Sequence, residues 1–288
     1  MRPYSRVYAT VNLDAVASNM RSMRDNLPAS TLIMGSVKAD GYGHGSVPVA
    51  KTIEPYVFGY AVATIDEGII LRRHGINKTI LILGVTHESR YEDLLRYDIR
   101  TAMFQYEKAK KLSDLALKQG KKAVVHLALD TGMSRIGMKA DREHAKEAAA
   151  IAALEGIEVE GLFTHFARAD ETDKSAYEEQ YRRYKEFLGY LKELGVKIPI
   201  RHCSNSAGIV ESLESNHMDM VRAGIAIYGM YPSDEVDHNS VKLTPAMEIK
   251  SCITYIKEIE AGTAVSYGGT FVADHTMKVA TIPVGYGD

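Results

Sequence analysis

TLIMGSVKADGYGHG, residues 31–45, is the stretch on which the reading of the whole chain turns. An apolar run ends on Lys38, and Gly41, Tyr42, Gly43, His44 and Gly45 follow almost at once. A strand interior does not favour that charge, and a surface loop does not need three glycines. Two readings fit. The lysine stem snorkels ahead of an ordinary loop, or Lys38 is aimed into a cavity beside a turn that lets a ligand approach the backbone closely.

Outward from this stretch the pattern repeats. Short apolar runs recur at 57–63, 79–84, 100–104, 123–130, 159–166, 198–204 and 218–224, making eight with the first. Helical stretches lie between them, and several end in glycine, as left-handed caps do. The first helix is expected over 12–27, capped by Asn12 and ended by Pro28. The runs are β-branched and rarely alternate, as strands buried on both faces should be. Eight strand–helix alternations predict a (β/α)8 barrel. An open doubly wound sheet is the alternative, because pattern alone does not show closure. No G-x-G-x-x-G follows an early strand, which weakens its dinucleotide-binding version.

The character changes at YPSDEVDHNS, 231–240, after which strand-like pieces follow without a long helix. The expected organisation is a strand over 1–11 joining a β domain, a barrel over 12–232, and a β-rich domain over 233–288. That last part is small for an independent core without disulfides. The chain is expected to be truncated at its C-terminus, or the module to lean on the barrel or on a second subunit.

Composition narrows the function. The 288 residues carry a formal net charge of −2, with 45% apolar and 25% charged residues, which gives no field for nucleic acid or anionic membrane. Two distant cysteines, Cys203 and Cys252, point to a reducing, cytoplasmic compartment. Neither a signal-peptide core nor a run of about 18 apolar residues is present. The ten histidines show no H-E-x-x-H, so no metal is expected.

In a barrel the working face lies at the C-terminal ends of the strands. Lys38 and Tyr42 fall there, with Asp130 and Arg135, His165, then His202, Ser204, Asn205 and Ser206, and finally Arg222, Gly224 and Ile225. Each has a plainer role open to it. His165 could be a core histidine, Asn205 and Ser206 could cap a helix, and Asp130-Thr131-Gly132 could be turn chemistry. Together they suit an aldehyde that forms a Schiff base with a lysine and carries a phosphate. Pyridoxal phosphate is such a molecule.

With those residues in view, VKADGYGHG (37–45), LDTGMSRIG (129–137), FTHFARAD (163–170), CSNSAG (203–208), VRAGIAIYG (221–229), VSYGGTF (265–271) and PVGYGD (283–288) resemble the alanine racemase family. The resemblance runs through nearly the whole chain in the family's order. It implies a pyridoxal-phosphate enzyme that interconverts L- and D-alanine and supplies D-alanine for cell-wall peptidoglycan. Lys38 would hold the cofactor and exchange the proton on the D face, and Tyr267 would serve the L face in the partner subunit of a homodimer. Tyr42, Ser206, Gly224 and Ile225 would hold the phosphate, and Asn205 and His165 would lie beside the cofactor. Arg222 would contact the pyridine nitrogen and keep its own proton, and Arg135 would bind near the substrate carboxylate. Tyr267 needs a lowered pKa to act as a base, with His165 and Arg222 as candidate cations.

Two departures accompany the resemblance. Many members have a lysine, which becomes carboxylated, two residues before the aspartate of the D-T-G motif, and here that position is Ala128. The chain also ends at Asp288, before further substrate-site residues of the family. A serine racemase of the same family, and a barrel that binds pyridoxal phosphate without turnover, stand as alternatives. Tyr267 argues against the latter. A decarboxylase of the same fold type is disfavoured because Arg222 stands where such enzymes place an acid.

Overall fold

A computed structural model of the chain describes residues 6–287. Two compact units form, one from residues 13–246 and one from the N-terminal segment through Asn12 together with residues 247–288.

Eight parallel strands form the barrel of the larger unit: β1 Leu32–Ser36, β2 Gly59–Val62, β3 Thr79–Ile82, β4 Arg100–Met103, β5 Ala123–Asp130, β6 Ile157–Phe163, β7 Ile200–His202 and β8 Met220–Ala223. Met34 pairs with Gly59, Gly59 with Thr79, Leu81 with Arg100, and Ala123 with Ile157. Gly161 pairs with Ile200, and Met220 with both His202 and Leu32. The pairing of Thr101 with Val125 joins β4 to β5 and closes the barrel. The open-sheet alternative is thereby excluded. The strands are nearly all buried because helices cover them outside and side chains fill them inside.

Helices follow the strands in alternation. Leu13–Asp25 precedes β1, Ile65–Arg73 follows β2, and Ser175–Glu193 follows β6. Ile65–Arg73 opens with a capping box, in which Thr64 accepts from the Glu67 N–H and the Glu67 carboxylate turns back to the backbone. Gly75, Gly120 and Gly195, which end helical stretches, all have positive φ.

The barrel unit extends further along the chain than the polar stretch at 231–240 suggests. Val236 and Val241 are buried, Tyr231 donates to the Val241 carbonyl at 2.8 Å, and Ala246 N–H donates to Tyr228 O at 3.0 Å. A segment that looks polar in sequence is thus pinned by a few apolar and backbone contacts.

In the smaller unit Val7–Val11 pairs antiparallel with Met247–Ser251, and Tyr255–Ile259 with Met277–Thr281. Among the described residues of this unit only Ile259 and Ala273 are buried hydrophobics, while Ile249, Tyr255, Ile256 and Phe271 are exposed.

Candidate active site

The question raised by residues 31–45 has a definite answer. Strand β1 stops at Ser36, and Ala39, Asp40, Gly41 and Tyr42 all adopt φ between 50° and 61°. The chain winds one left-handed turn, which costs roughly 1–2 kcal/mol for each residue bearing a Cβ. Hydrogen bonds hold it there. The Ala39 N–H donates to Glu67 Oε1 at 2.8 Å, and the Ser46 N–H donates to Asp40 Oδ1 at 2.7 Å. His44 Nδ1–H donates to the carbonyls of Gly41 and Tyr42 at 3.1 and 3.0 Å. The second Glu67 oxygen accepts from Ala63 N–H at 2.7 Å, so one carboxylate ties the lysine's turn to the end of β2. The stretch that reads as loose in sequence is tightly fixed.

Lys38 and Tyr42 border a cavity of about 500 Å³ at the C-terminal ends of the strands. Arg135, His165, Asn205, Ser206, Arg222, Gly224 and Ile225 border it as well. Residues more than 180 positions apart in sequence are therefore brought together by closure of the barrel. The lysine ammonium lies 5.7 Å from the Tyr42 ring centre. Asn205 caps the helix Ser206–Val210, its Oδ1 accepting from Gly208 N–H at 3.2 Å, as the plainer reading allows. Ser206 Oγ accepts from the Gly224 N–H at 2.9 Å. A Cβ built on Gly224 would lie 3.5 Å from Ser206 Oγ and 3.7 Å from the Tyr42 hydroxyl, so the missing side chain leaves a small space ringed by two hydroxyls.

Arg222 is almost fully buried in β8. Its Nη1 donates to His202 Nδ1 at 2.9 Å and to His202 O at 3.1 Å, and its Nη2 donates to Thr164 O at 2.6 Å and Cys203 O at 3.1 Å. With both terminal nitrogens engaged, Nε–H is the donor left for a ligand. Burial brings its pKa down from the ordinary 12.5 to about 10, and the guanidinium remains charged at neutral pH. Burial, then the charges of Arg222, Arg135 and Lys38, push the His165 pKa to about 3. His165 is therefore neutral, so of the two cations suggested to act on Tyr267 only Arg222 carries charge. Three cationic side chains in one cavity favour an anionic ligand.

Three residues are placed otherwise than on the rim. His202 and Ser204 are fully buried, the latter 2.6 Å from Ser215 Oγ, and neither borders the cavity. Asp130 Oδ1 accepts from the N–H groups of Gly132 and Ser134 at 2.9 and 3.0 Å, which is turn chemistry. Ala128 packs with Ala102 and Phe163 in an apolar cluster flanked by Leu83 and Phe104. Tyr267 lies in the smaller unit, 97% exposed, in a turn where Ser266 has φ 62°. Two contributors stand outside the residues picked from the sequence. Glu67 carries a Thr-x-x-Glu capping-box signal, and Asp170, which also borders the cavity, closes the segment FTHFARAD.

Fold and site together define a barrel with a cationic, lysine-bearing site on its C-terminal rim. Residues 11–232 match the family described as alanine racemase, N-terminal domain, and residues 246–288 match alanine racemase, C-terminal domain. An alanine racemase of Desulforamulus reducens is 42% identical over 283 residues, covering 98% of this chain and 76% of that protein. The solved alanine racemase of Clostridium difficile 630 superposes with a TM-score of 0.91 at 41% identity, over 100% of this chain and 75% of that one. The alanine racemase from D-cycloserine-producing Streptomyces lavendulae gives 0.92 at 32% identity, covering 100% of this chain and 76% of that one. The chain belongs to the alanine racemase family, whose members are isomerases that depend on pyridoxal phosphate.

Proposed function

We propose that this protein is a pyridoxal-phosphate-dependent racemase that interconverts L- and D-alanine. The observation that carries the reading is the meeting, in one cavity, of a lysine on a fixed turn, a buried arginine with one free donor, and two hydroxyls around the space at Gly224. That space fits a phosphate, which needs donors and no neighbouring side chain. When bound, pyridoxal phosphate withdraws electrons from the amino acid and so acidifies its Cα–H.

The chain's own groups do the rest. Lys38 would hold the cofactor through its amine and would exchange the proton on the D face. The Tyr42 and Ser206 hydroxyls, with the backbone of Gly224 and Ile225, would hold the phosphate, and Asn205 and His165 would flank the cofactor. Arg222 would offer Nε–H to the pyridine nitrogen and, staying charged, would leave that nitrogen largely unprotonated. Arg135 receives the substrate carboxylate. Racemisation needs a second base on the opposite face of Cα. Tyr267, whose side chain is exposed, supplies it from the partner subunit of a homodimer. The product would be D-alanine for peptidoglycan, made in the cytoplasm. No described helix is long and apolar enough to cross a membrane.

The test is a chiral assay of the purified, cofactor-loaded protein with L-alanine and L-serine in parallel. D-alanine should form faster than D-serine. Faster D-serine formation would make it a serine racemase, and no turnover of either, with cofactor bound, would make it a binding protein.

A further inference from the structure

Behind the rim, inside the barrel, lies a line of polar groups that the proposed chemistry does not use. Arg222 Nη1 meets His202 Nδ1 at 2.9 Å, His202 Nε2 meets His126 Nδ1 at 2.8 Å, and His126 Nε2 meets Glu160 Oε2 at 2.9 Å. Both imidazoles are fully buried. Glu160, whose side chain is 18% exposed, ends the line beside Arg100 at 3.5 Å.

The backbone is shaped to admit it. The pairing of β5 with β6 slips here, with Val125 opposite Val159 but His126 opposite Gly161, so Glu160 is the extra residue of a bulge. Bulges re-aim side chains. A Cβ on Gly161 would fall 2.4 Å from His126 Nδ1, so glycine is what leaves room for the ring.

We propose that Glu160, His126 and His202 form a one-way hydrogen-bond chain that fixes how Arg222 is presented to the rim, with Glu160 as a positioning residue. The direction follows from donor counting. Arginine only donates, so His202 Nδ1 must accept, and the His202 proton sits on Nε2. That proton is donated to His126 Nδ1, so the His126 proton also sits on Nε2 and is donated to the Glu160 carboxylate. Were His126 protonated on Nδ1, His202 would have to carry its proton on Nδ1, directly against the Arg222 N–H. One protonation pattern satisfies all three contacts, with both rings neutral and the carboxylate ionised. Among the described residues no carboxylate pairs with Arg222, and Glu160 is the anion to which its donated hydrogen bonds lead. The visible consequence at the cofactor rests on the proposed function, but the protonation pattern does not.

The experiment is nitrogen-15 NMR of the histidine rings in the holoprotein, in the wild type and in Glu160→Gln and Glu160→Ala. In the wild type both His126 and His202 should carry one proton, on Nε2. Gln keeps an acceptor oxygen and should keep that pattern and the visible absorption of bound pyridoxal phosphate. Ala removes the acceptor, and His126 should redistribute between tautomers, the cofactor band should shift, and kcat should fall about tenfold, with KM changed less. Wild-type rings protonated on Nδ1, or on both nitrogens, overturn the proposal even if Glu160→Ala does not fold. So does equal behaviour of the Gln and Ala variants. A protein that binds no pyridoxal phosphate refutes the proposed function, and its ring spectra still decide this inference.

Discussion

Lys38 and Tyr267 both sit on turns that enter the left-handed region, and they are supported in opposite ways. Around Lys38 the turn is bonded to Glu67, Asp40 and His44, and the Tyr42 ring leans on buried Tyr228 at 5.1 Å. Around Tyr267, Ser266, Gly268 and Gly269 have φ of 62°, 73° and 55°, and a 3.2 Å bond from Gly269 N–H to Ser266 O spans the turn. The first turn rests on a closed barrel with a large core, the second on a unit that buries two hydrophobic residues among those described. A side chain on the barrel rim is thus held by packing and hydrogen bonding together, whereas Tyr267 is defined mainly by the conformation of its own backbone.

The strongest break in the comparison is Lys38→Ala, which should remove racemase activity and the site of cofactor attachment. Borohydride treatment of the wild type followed by peptide mapping should find the cofactor on Lys38, and label on another lysine refutes the assignment.

Subunit exchange comes next. Lys38→Ala and Tyr267→Phe homodimers should each be nearly inactive. After random exchange about half the dimers are mixed, each with one intact composite site, so activity should return to roughly a quarter of wild type. If it stays at zero despite proven exchange, Tyr267 does not work across subunits.

Stability should separate the two units in turn. Gly229, at φ 85°, faces the Thr244 carbonyl, where a Cβ would lie 1.9 Å away, while Gly262, at φ 82°, has nothing within 4 Å. Gly229→Ala should therefore cost about 3 kcal/mol or more, and Gly262→Ala only about 1 kcal/mol, in denaturant melts. Equal losses would mean that the barrel unit accommodates the clash.

The buried histidines make a further difference. In the folded chain His165 titrates near 3 rather than at the ordinary 6.5, and burial lowers His126 and His202 in the same direction. The unfolded chain takes up these protons first as pH falls, so each contribution is complete above 6.5 and is lost as pH falls below it, for His165 down to about 3. Tm should drop through that window, and less so in His165→Gln. An identical slope in the variant would show that His165 titrates normally.

The smallest effect is expected from Ala128→Lys. The new side chain must run along the apolar cluster of Ala102, Phe163, Leu83 and Phe104 before it could support Arg135. KM for alanine should change a few-fold and kcat less, and a change confined to kcat refutes the link to Arg135.

The barrel was legible because its strands are short apolar runs at regular spacing, and the rim residues because they stand at the ends of those runs. His202 was misplaced for the same reason. It also ends a strand, but its ring turns inward, and sequence alternation over three residues is too short to reveal that. The chain from His126 to Glu160 was hidden because a bulge, which breaks the two-residue period, aims Glu160. The left-handed turn was half visible. Its glycines were plain, but Ala39, Asp40 and Tyr42 adopt the same conformation through tertiary hydrogen bonds that no local pattern announces.

That turn also bears on the order in which the molecule assembles. A disordered chain visits left-handed angles at Ala39, Asp40 and Tyr42 only briefly, and the Glu67 carboxylate that steadies them arrives with the next strand–helix unit. The turn is expected to be unformed in the folding transition state, so substitutions within it should alter the unfolding rate and leave the folding rate nearly unchanged. The barrel can close before the lysine is in position, and capture of the proposed cofactor would then follow folding instead of guiding it.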